Sequence, residues 1–404
     1  MKLRKEITEK NASYMQRKIR HIIETFEKRP AGSKGEKDAQ EYLADELKKY
    51  VDEVKIEDFN VRPDSFTDWR YITIISLLIA LPLYFFFPAI ALSLAIFAFL
   101  PMISQLLLFS KLFDIFFPKK KSCNVYGTKA PTGETKRRII FAGHTDAAFE
   151  WFWHYKFGFK ALILISILAI IGGIALIVLS LAAVILGNVL NSVDGILFWF
   201  GVGITPFSIF WFLMIRFYTT MVVDGANDNL SAVLVSMAVA KTMQENGLSL
   251  KNTEIGILFT GSEEAGLRGS SKFAIKHEKE LKEIPTAIIN LETLRDIKHL
   301  GILNRDMNML IKNDKDVARL IQKAGKNLGY EIPLDIVEIG ATDASSFTKR
   351  GIKANTLAAM SHELESYYHT RHDTFDNIDP EVLKNVLEIC IVAANIFDEK
   401  GFNF

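Results

Sequence analysis

Cysteine is almost absent from this 404-residue chain: Cys123 and Cys390 lie far apart and outside any CxxC spacing. That rules out a disulfide-stapled scaffold and a thiolate metal site, and it suits a reducing compartment. A surplus of one charge is lacking as well. With 48 Lys and Arg against 47 Asp and Glu the net charge is +1. No basic run interleaved with aromatic residues occurs away from the apolar blocks, so nucleic acid is not an expected partner. The opening stretch MKLRKEITEKNASYMQRKIRH has charges throughout and no apolar core of the secretory type, so membrane insertion is expected to come from internal segments.

What the chain has in quantity is uncharged length. Hydrophobic residues make up 49% of the sequence beside 24% charged ones, and the excess is concentrated in two blocks. Residues 71–110 contain no charge over 40 positions, about twice the ~20 that one helical crossing needs. Pro88 near the middle favours a hairpin of two spans. Residues 161–193 and 195–215 form the second block, divided only by Asp194. Core helices rarely stay uncharged beyond about 14 residues, so four transmembrane helices are expected. Four crossings return the chain to its starting side. The flanks there carry Arg70, Lys111, Lys119, Lys120, Lys121, Lys156, Lys160 and Arg216, and the opposite turns carry only Asp194. The positive-inside rule then places the remaining chain on the cytoplasmic side of the cell membrane, with the lipid bilayer as a partner. Trp151, Phe152, Trp153 and Tyr155 suit an interfacial aromatic belt, His154 being an interfacial residue among them.

The segments 1–70, 111–160 and 216–404, interrupted by hairpins at 71–110 and 161–215, read as one α/β domain. An amphipathic helix at 6–28 is broken by RPAGS, followed by a helix at 35–50 and an alternating strand at 51–61. An apolar strand, IIFAG, occupies 139–143. A helix at 230–245 precedes a strand at 254–259, and apolar runs at 286–290, 334–338 and 354–359 alternate with helices at 271–282, 315–328 and 380–398. Such alternation implies a mainly parallel sheet covered by helices on both faces.

His144, Asp228, Glu264, Glu292 and His369 each lie where an apolar strand-like run ends, and Glu263 adds a carboxylate beside one of them. In open α/β sheets the ligand site forms beyond the carboxyl ends of the strands. Imidazoles and carboxylates without thiolates suit catalytic metal that keeps a position open, so the set reads as a hydrolytic two-metal centre.

The pieces GHTD, DGANDNLSA, FTGSEEAGLRGS, INLE, GATDASSF with RGIKA, and YHTRHDTFDNI, together with RPAGSKGEKDAQEYLADEL near the start, resemble the M28 family of zinc-dependent exopeptidases in content and order. They span the soluble part and leave only the hydrophobic blocks uncovered. The resemblance implies that Asp228 bridges two Zn2+ ions (Co2+ or Mn2+ being the alternatives), with His144 and Glu292 completing one site and Glu264 and His369 the other. It implies Glu263 as the general base that takes a proton from the attacking water and passes it to the leaving amine. Asp146 would orient the His144 imidazole. Tyr368 would donate to the oxyanion, with Tyr367 competing for that role. Two positions depart from the family pattern: Glu292 stands where many relatives carry Asp, and Ala344 follows Asp343 where His is common. His362, Glu363, Glu365 and His372 flank His369, and the motif aligns only with His369 as ligand.

The expected protein is therefore a membrane-anchored di-zinc aminopeptidase acting on peptides. Carboxypeptidase or dipeptidase action on the same centre, a single-zinc acyl transferase such as a glutaminyl cyclase, and a noncatalytic membrane protein with a peptidase-like fold stay open; residue preference and oligomeric state are not readable. Arg216 precedes Asp228 by twelve residues and Lys160 follows His144 by sixteen. At ~3.3–3.6 Å per residue the shorter tether cannot exceed about 45 Å. The catalytic face is accordingly expected to turn toward the bilayer and to receive apolar or membrane-derived peptides.

Overall fold

The computed structural model describes residues 4–189, 191–361 and 364–403. The chain divides into two compact units: Met1–Pro63 with Lys119–Ala148 and Val222–Phe404, and Asp64–Pro118 with Phe149–Met221.

The strands, numbered along the chain, are β1 (Glu53–Val61), β2 (Lys120–Lys129), β3 (Arg137–His144), β4 (Phe149–Trp151), β5 (Tyr218–Val222), β6 (Thr253–Thr260), β7 (Thr286–Leu294), β8 (Leu300–Asp306), β9 (Ile311–Lys312), β10 (Leu334–Ile336) and β11 (Ala354–Ala359). In the first unit nine of them form one sheet in the order β1-β2-β6-β3-β7-β11-β8-β10, with β9 on β8; β4 and β5 pair separately. The centre is parallel: β3 runs with β6 and β7, and β7 with β11. Its flanks are antiparallel, through β1 on β2, β2 on β6 and β11 on β8. The sheet is thus mixed, and its last strand, β10, returns to parallel pairing on β8.

Alternation along the strands explains the two cores. Ile139 and Phe141 of β3 join one cluster with the helices Lys5–Thr25, Ser231–Glu245, Lys315–Leu328 and Pro380–Lys400, whereas Ile140 and Ala142 face Phe273, Phe347 and Ile352 on the other side. A sheet covered on both faces favours continuous apolar strands, and every residue of β7 is buried. Helix starts follow their caps: Ser33 Oγ accepts from Glu36 N at 3.1 Å, and Asp314 accepts from Asp316 N and Val317 N. The helix expected at 271–282 is instead two, Arg268–Lys276 and Glu278–Glu283. The break is at His277, whose ring lies 2.9 Å from both Glu57 Oε1 and Glu280 Oε2. The short strand β8 has no counterpart among the strands expected from the sequence.

In the second unit four helices, Asp64–Tyr84, Pro88–Leu107, Phe159–Ile185 and Gly195–Ile215, are long and apolar enough to cross a membrane. The first starts at Asp64, so its opening turns carry Asp68 and Arg70. The fourth is interrupted by a 3-10 turn at Thr205–Phe207, where Pro206 removes a donor. Small residues fill the interior: Ala80, Ala91, Ala95, Ala98 and Ala183 are buried while Ile75, Ile79, Ile174 and Val178 are exposed. The polar tips inside find backbone partners, Tyr84 on Leu197 O at 2.7 Å and Trp211 on Ala169 O at 2.8 Å. His154 is buried in this unit beside Trp151 and Phe159.

Candidate metal centre

The centre forms at the carboxyl ends of the parallel strands. His144 closes β3, opposite Thr260 at the end of β6. Glu263 and Glu264 follow in the turn after β6, Glu292 lies near the end of β7, and Asp228 sits in the loop that leads into helix Ser231–Glu245. His369 comes from the turn beyond β11.

Asp228 faces an imidazole with each of its oxygens. Its Oδ1 lies 3.1 Å from His144 Nε2 and its Oδ2 lies 3.0 Å from His369 Nε2. Glu292 Oε1 is 3.6 Å from His144 Nε2, and Glu264 Oε1 is 3.3 Å from His369 Nε2. The five side chains therefore sort into two groups sharing one carboxylate. Among the described residues, ligand atoms of His144, Asp228 and Glu264 also lie within 4.8 Å of one another, so the groups are contiguous. Glu263 Oε2 stands 3.9 Å from His144 Nε2.

The electrostatics show what such a set demands. His144 Nδ1 lies 3.2 Å from Asp146 O, and its Nε2 faces oxygens of Asp228 and Glu292. Carboxylates gathered on two rings call for positive charge among them. Burial pushes Glu292 up to about 7, with Asp228 and Asp343 adding to the shift against the pull of His144. Glu263 is held well above the usual carboxylate range, first by burial and then by Glu264, Asp343 and Glu292, His144 opposing. Burial opposes the charge on His369, yet Glu264 and Asp228 outweigh it and raise the ring to about 10. His144 behaves likewise, drawn up by Glu263, Asp146, Asp228 and Glu292. Glu292 Oε2 is buried without a hydrogen-bond partner. Nitrogen and oxygen donors, four carboxylates converging on two rings and an unmatched buried oxygen together fit divalent cations of the zinc type.

Asp146 reaches farther than expected. Besides lying 3.5 Å from His144 Nδ1, its carboxylate accepts from Glu263 N at 3.0 Å and Glu264 N at 2.9 Å, so one side chain steadies three candidate site residues. Tyr368 stacks on the His369 ring at 4.1 Å and 10°. Burial and the carboxylates of Asp228, Glu264, Glu292 and Glu263 hold its hydroxyl protonated. Tyr367 is buried, with Arg295 over its ring. Asp343 accepts from Thr260 Oγ1 at 2.5 Å. Of the residues flanking His369, His372 is exposed, Glu365 lies by His299, and His362 and Glu363 fall outside the described residues.

Several supports of the centre carry no signal that sequence reasoning could isolate. Asp373 accepts from Asn227 N and Asn227 Nδ2, both at 2.8 Å, and from Asp228 N at 3.1 Å. Asn229 ties the same loop to β7, donating to Leu291 O and accepting from Thr293 N, each at 3.1 Å. Glu36 accepts from Ser262 N at 2.6 Å. The one hint is position, since Asp373 follows His369 by four residues and Glu36 lies in the amino-terminal motif. Ser262, Thr293 and His369 adopt left-handed backbone, with φ of 53°, 39° and 50°. That conformation costs about 1–3 kcal/mol per non-glycine residue and persists only where surroundings enforce it.

Comparison with known proteins agrees with this fold. The aminopeptidase YwaD of Bacillus subtilis (strain 168) is 27% identical over 177 residues, which is 42% of this chain and only 37% of that protein. Solved structures match over nearly the whole chain. An aminopeptidase from Aneurinibacillus sp. strain AM-1 has a TM-score of 0.57 at 16% identity, covering 97% of this chain and 94% of its own. The zinc aminopeptidase BSAP from Bacillus subtilis gives 0.57 at 15%, covering 96% and 95%. A glutaminyl cyclase from Bacteroides thetaiotaomicron gives 0.54 at 14%, covering 95% and 97%. At such identities these likenesses show the fold alone. The sequence model of peptidase family M28 matches residues 215–394, a stretch that contains Asp228, Glu263, Glu264, Glu292 and His369, so the carboxyl-terminal part of the chain is similar to that family.

Proposed function

We propose that this protein is a membrane-anchored two-metal exopeptidase that removes amino-terminal residues from peptides. The observation that carries the reading is Asp228, whose two oxygens face two different imidazoles while Glu263 stands beside one of them. His144, Asp228 and Glu292 would hold one zinc, and His369, Asp228 and Glu264 the other. When bound, such ions supply Lewis acidity toward a carbonyl oxygen and make water easier to deprotonate. Glu263, kept basic by its buried and anionic surroundings, takes the proton of the attacking water and delivers it to the leaving amine. Asp146 fixes the backbone of that base. Tyr368, braced by its stack on His369, donates a hydrogen bond to the developing oxyanion.

Four helices long and apolar enough to cross a membrane support an anchored enzyme, and the cationic flanks against the lone Asp194 turn favour a cytoplasmic catalytic unit. A thiol reagent excluded by the membrane should label Ser192→Cys but not Lys121→Cys in intact cells; the reverse pattern would overturn that orientation. Short tethers on either side of the second hairpin favour apolar or membrane-derived peptides as substrates. Equal rates on soluble and lipid-embedded forms of one peptide would refute this.

The reaction itself is tested with one short apolar peptide offered free, N-acetylated and C-amidated to full-length protein and to Glu263→Gln. Cleavage of the free and C-amidated forms alone, lost in the variant, is expected. Cleavage that requires a free carboxyl end would shift the assignment to carboxypeptidase action. Absence of cleavage by metal-loaded protein would contradict the reading.

A further inference from the structure

One buried cation lies behind the centre. Arg29 is only 2% exposed. Its Nε donates to Thr145 O at 3.0 Å, in the residue between His144 and Asp146, and one terminal nitrogen donates to Asp224 O at 2.6 Å, where the loop to Asp228 begins. The same terminal nitrogen lies 3.5 Å from Gly225 O. Its own carbonyl accepts from Ala147 N at 2.9 Å. Gly225 has φ of +60°, and a Cβ there would fall 3.0 Å from the guanidinium and 2.7 Å from Asp228 O, so the loop is closed tightly around this side chain.

The carboxylates whose charge acts on Arg29 are Asp224, Asp373, Asp146 and Glu36. Asp224 also pairs with Lys28. The other three all hold backbone amides of the centre. Asp146 accepts those of Glu263 and Glu264, Asp373 those of Asn227 and Asp228, and Glu36 that of Ser262. Arginine suits the position because it keeps its charge when buried and its planar fork bonds in two directions at once; lysine is a point charge and cannot span both loops.

Resting on the metal-centre reading above, we propose that Arg29 is a positioning residue: it ties the His144 loop to the Asp228 loop, beside the carboxylates that grip the backbone of the ligand and base residues. It touches neither metal nor substrate. It acts by fixing where His144, Asp228, Glu263 and Glu264 stand.

The test uses full-length protein in detergent, stripped of metal, as wild type, Arg29→Lys and Arg29→Gln. Each is titrated with Co2+ while visible absorption and bound cobalt per chain are read, with kcat and KM measured on the same preparations. Wild type should bind two cobalt ions. Arg29→Lys should keep the thermal midpoint of the metal-free protein yet bind cobalt about 10–100-fold more weakly with an altered spectrum, lowering kcat more than KM; Arg29→Gln should lose more. Wild-type cobalt affinity and spectrum in Arg29→Lys would overturn the proposal, and so would losses that track lost thermal stability, since those mark a merely structural role. A wild-type chain that takes up no cobalt would overturn the metal-centre reading underneath.

Discussion

The two units solve opposite packing problems with the same alphabet. The sheet unit hides its branched and aromatic side chains in layers on either side of a sheet, Phe141, Phe259 and Phe347 among them, and gathers a cluster of buried charge at the carboxyl ends of the central strands. The helical unit inverts this arrangement: only 11–33% of each most apolar window is buried, large side chains point outward, and alanines and glycines meet inside. Water rewards the first arrangement through apolar burial. Lipid gives helices no such drive, so close backbone approach between small residues takes its place.

The largest effect expected on this contrast is at the buried charge. Glu263→Gln should lower kcat by about 10²–10⁴ while bound metal per chain is unchanged; loss of metal as well would make Glu263 a ligand. Next come the interiors. Phe141→Ala in the sheet core should cost about 3–5 kcal/mol. In the helical unit the damaging change is enlargement: a Cβ at Gly201 would lie 2.3 Å from Tyr84 Cε1, so Gly201→Leu should cost about 1–3 kcal/mol by overpacking. Ile174→Ala on its outer face should stay within about 0.5 kcal/mol. All five tryptophans, Trp69, Trp151, Trp153, Trp199 and Trp211, belong to the helical unit. Tryptophan emission during denaturation therefore follows that unit, and metal release follows the other. A large effect of Ile174→Ala would mean that this face packs against protein, not lipid.

The smallest effect concerns an ion-pair network of the sheet unit. Glu46 accepts from Lys49 Nζ at 2.7 Å and Lys18 Nζ at 2.9 Å. Burial works to raise its pKa, but these bonds prevail and lower it from the ordinary 4.5 to about 2. A depressed folded-state pKa stabilises above the unfolded value and loses that contribution as pH falls. Wild type should be more stable than Glu46→Gln at pH 6, and the gap should close between pH 4.5 and about 2. A gap independent of pH would show that the pair contributes through packing alone.

Much of this is legible in the sequence, for identifiable reasons. Strand ends announce themselves where IIFAG or AIINL runs into His or Glu, because burial on both faces demands apolar runs and polar groups stand clear of them. Uncharged length announces the four helices. The supports of the centre carry no such mark. Asp373, Glu36 and Arg29 act on backbone amides and carbonyls, which have no sequence identity, and they meet only when distant loops are folded together. The left-handed backbone at Ser262, Thr293 and His369 is equally silent, since none is glycine. The antiparallel flanks escape notice because pairing direction depends on connections between strands, and β8, with its short apolar run before Arg305 and Asp306, gives too little alternation to be read.

The shared carboxylate is the centre of the account, and counting metal tests it most directly. Full-length protein, stripped and then equilibrated with zinc, should retain two ions per chain by elemental analysis, and Asp228→Asn should weaken retention of both together. One ion per chain, or an Asp228→Asn variant that loses only one, would contradict a bridged pair.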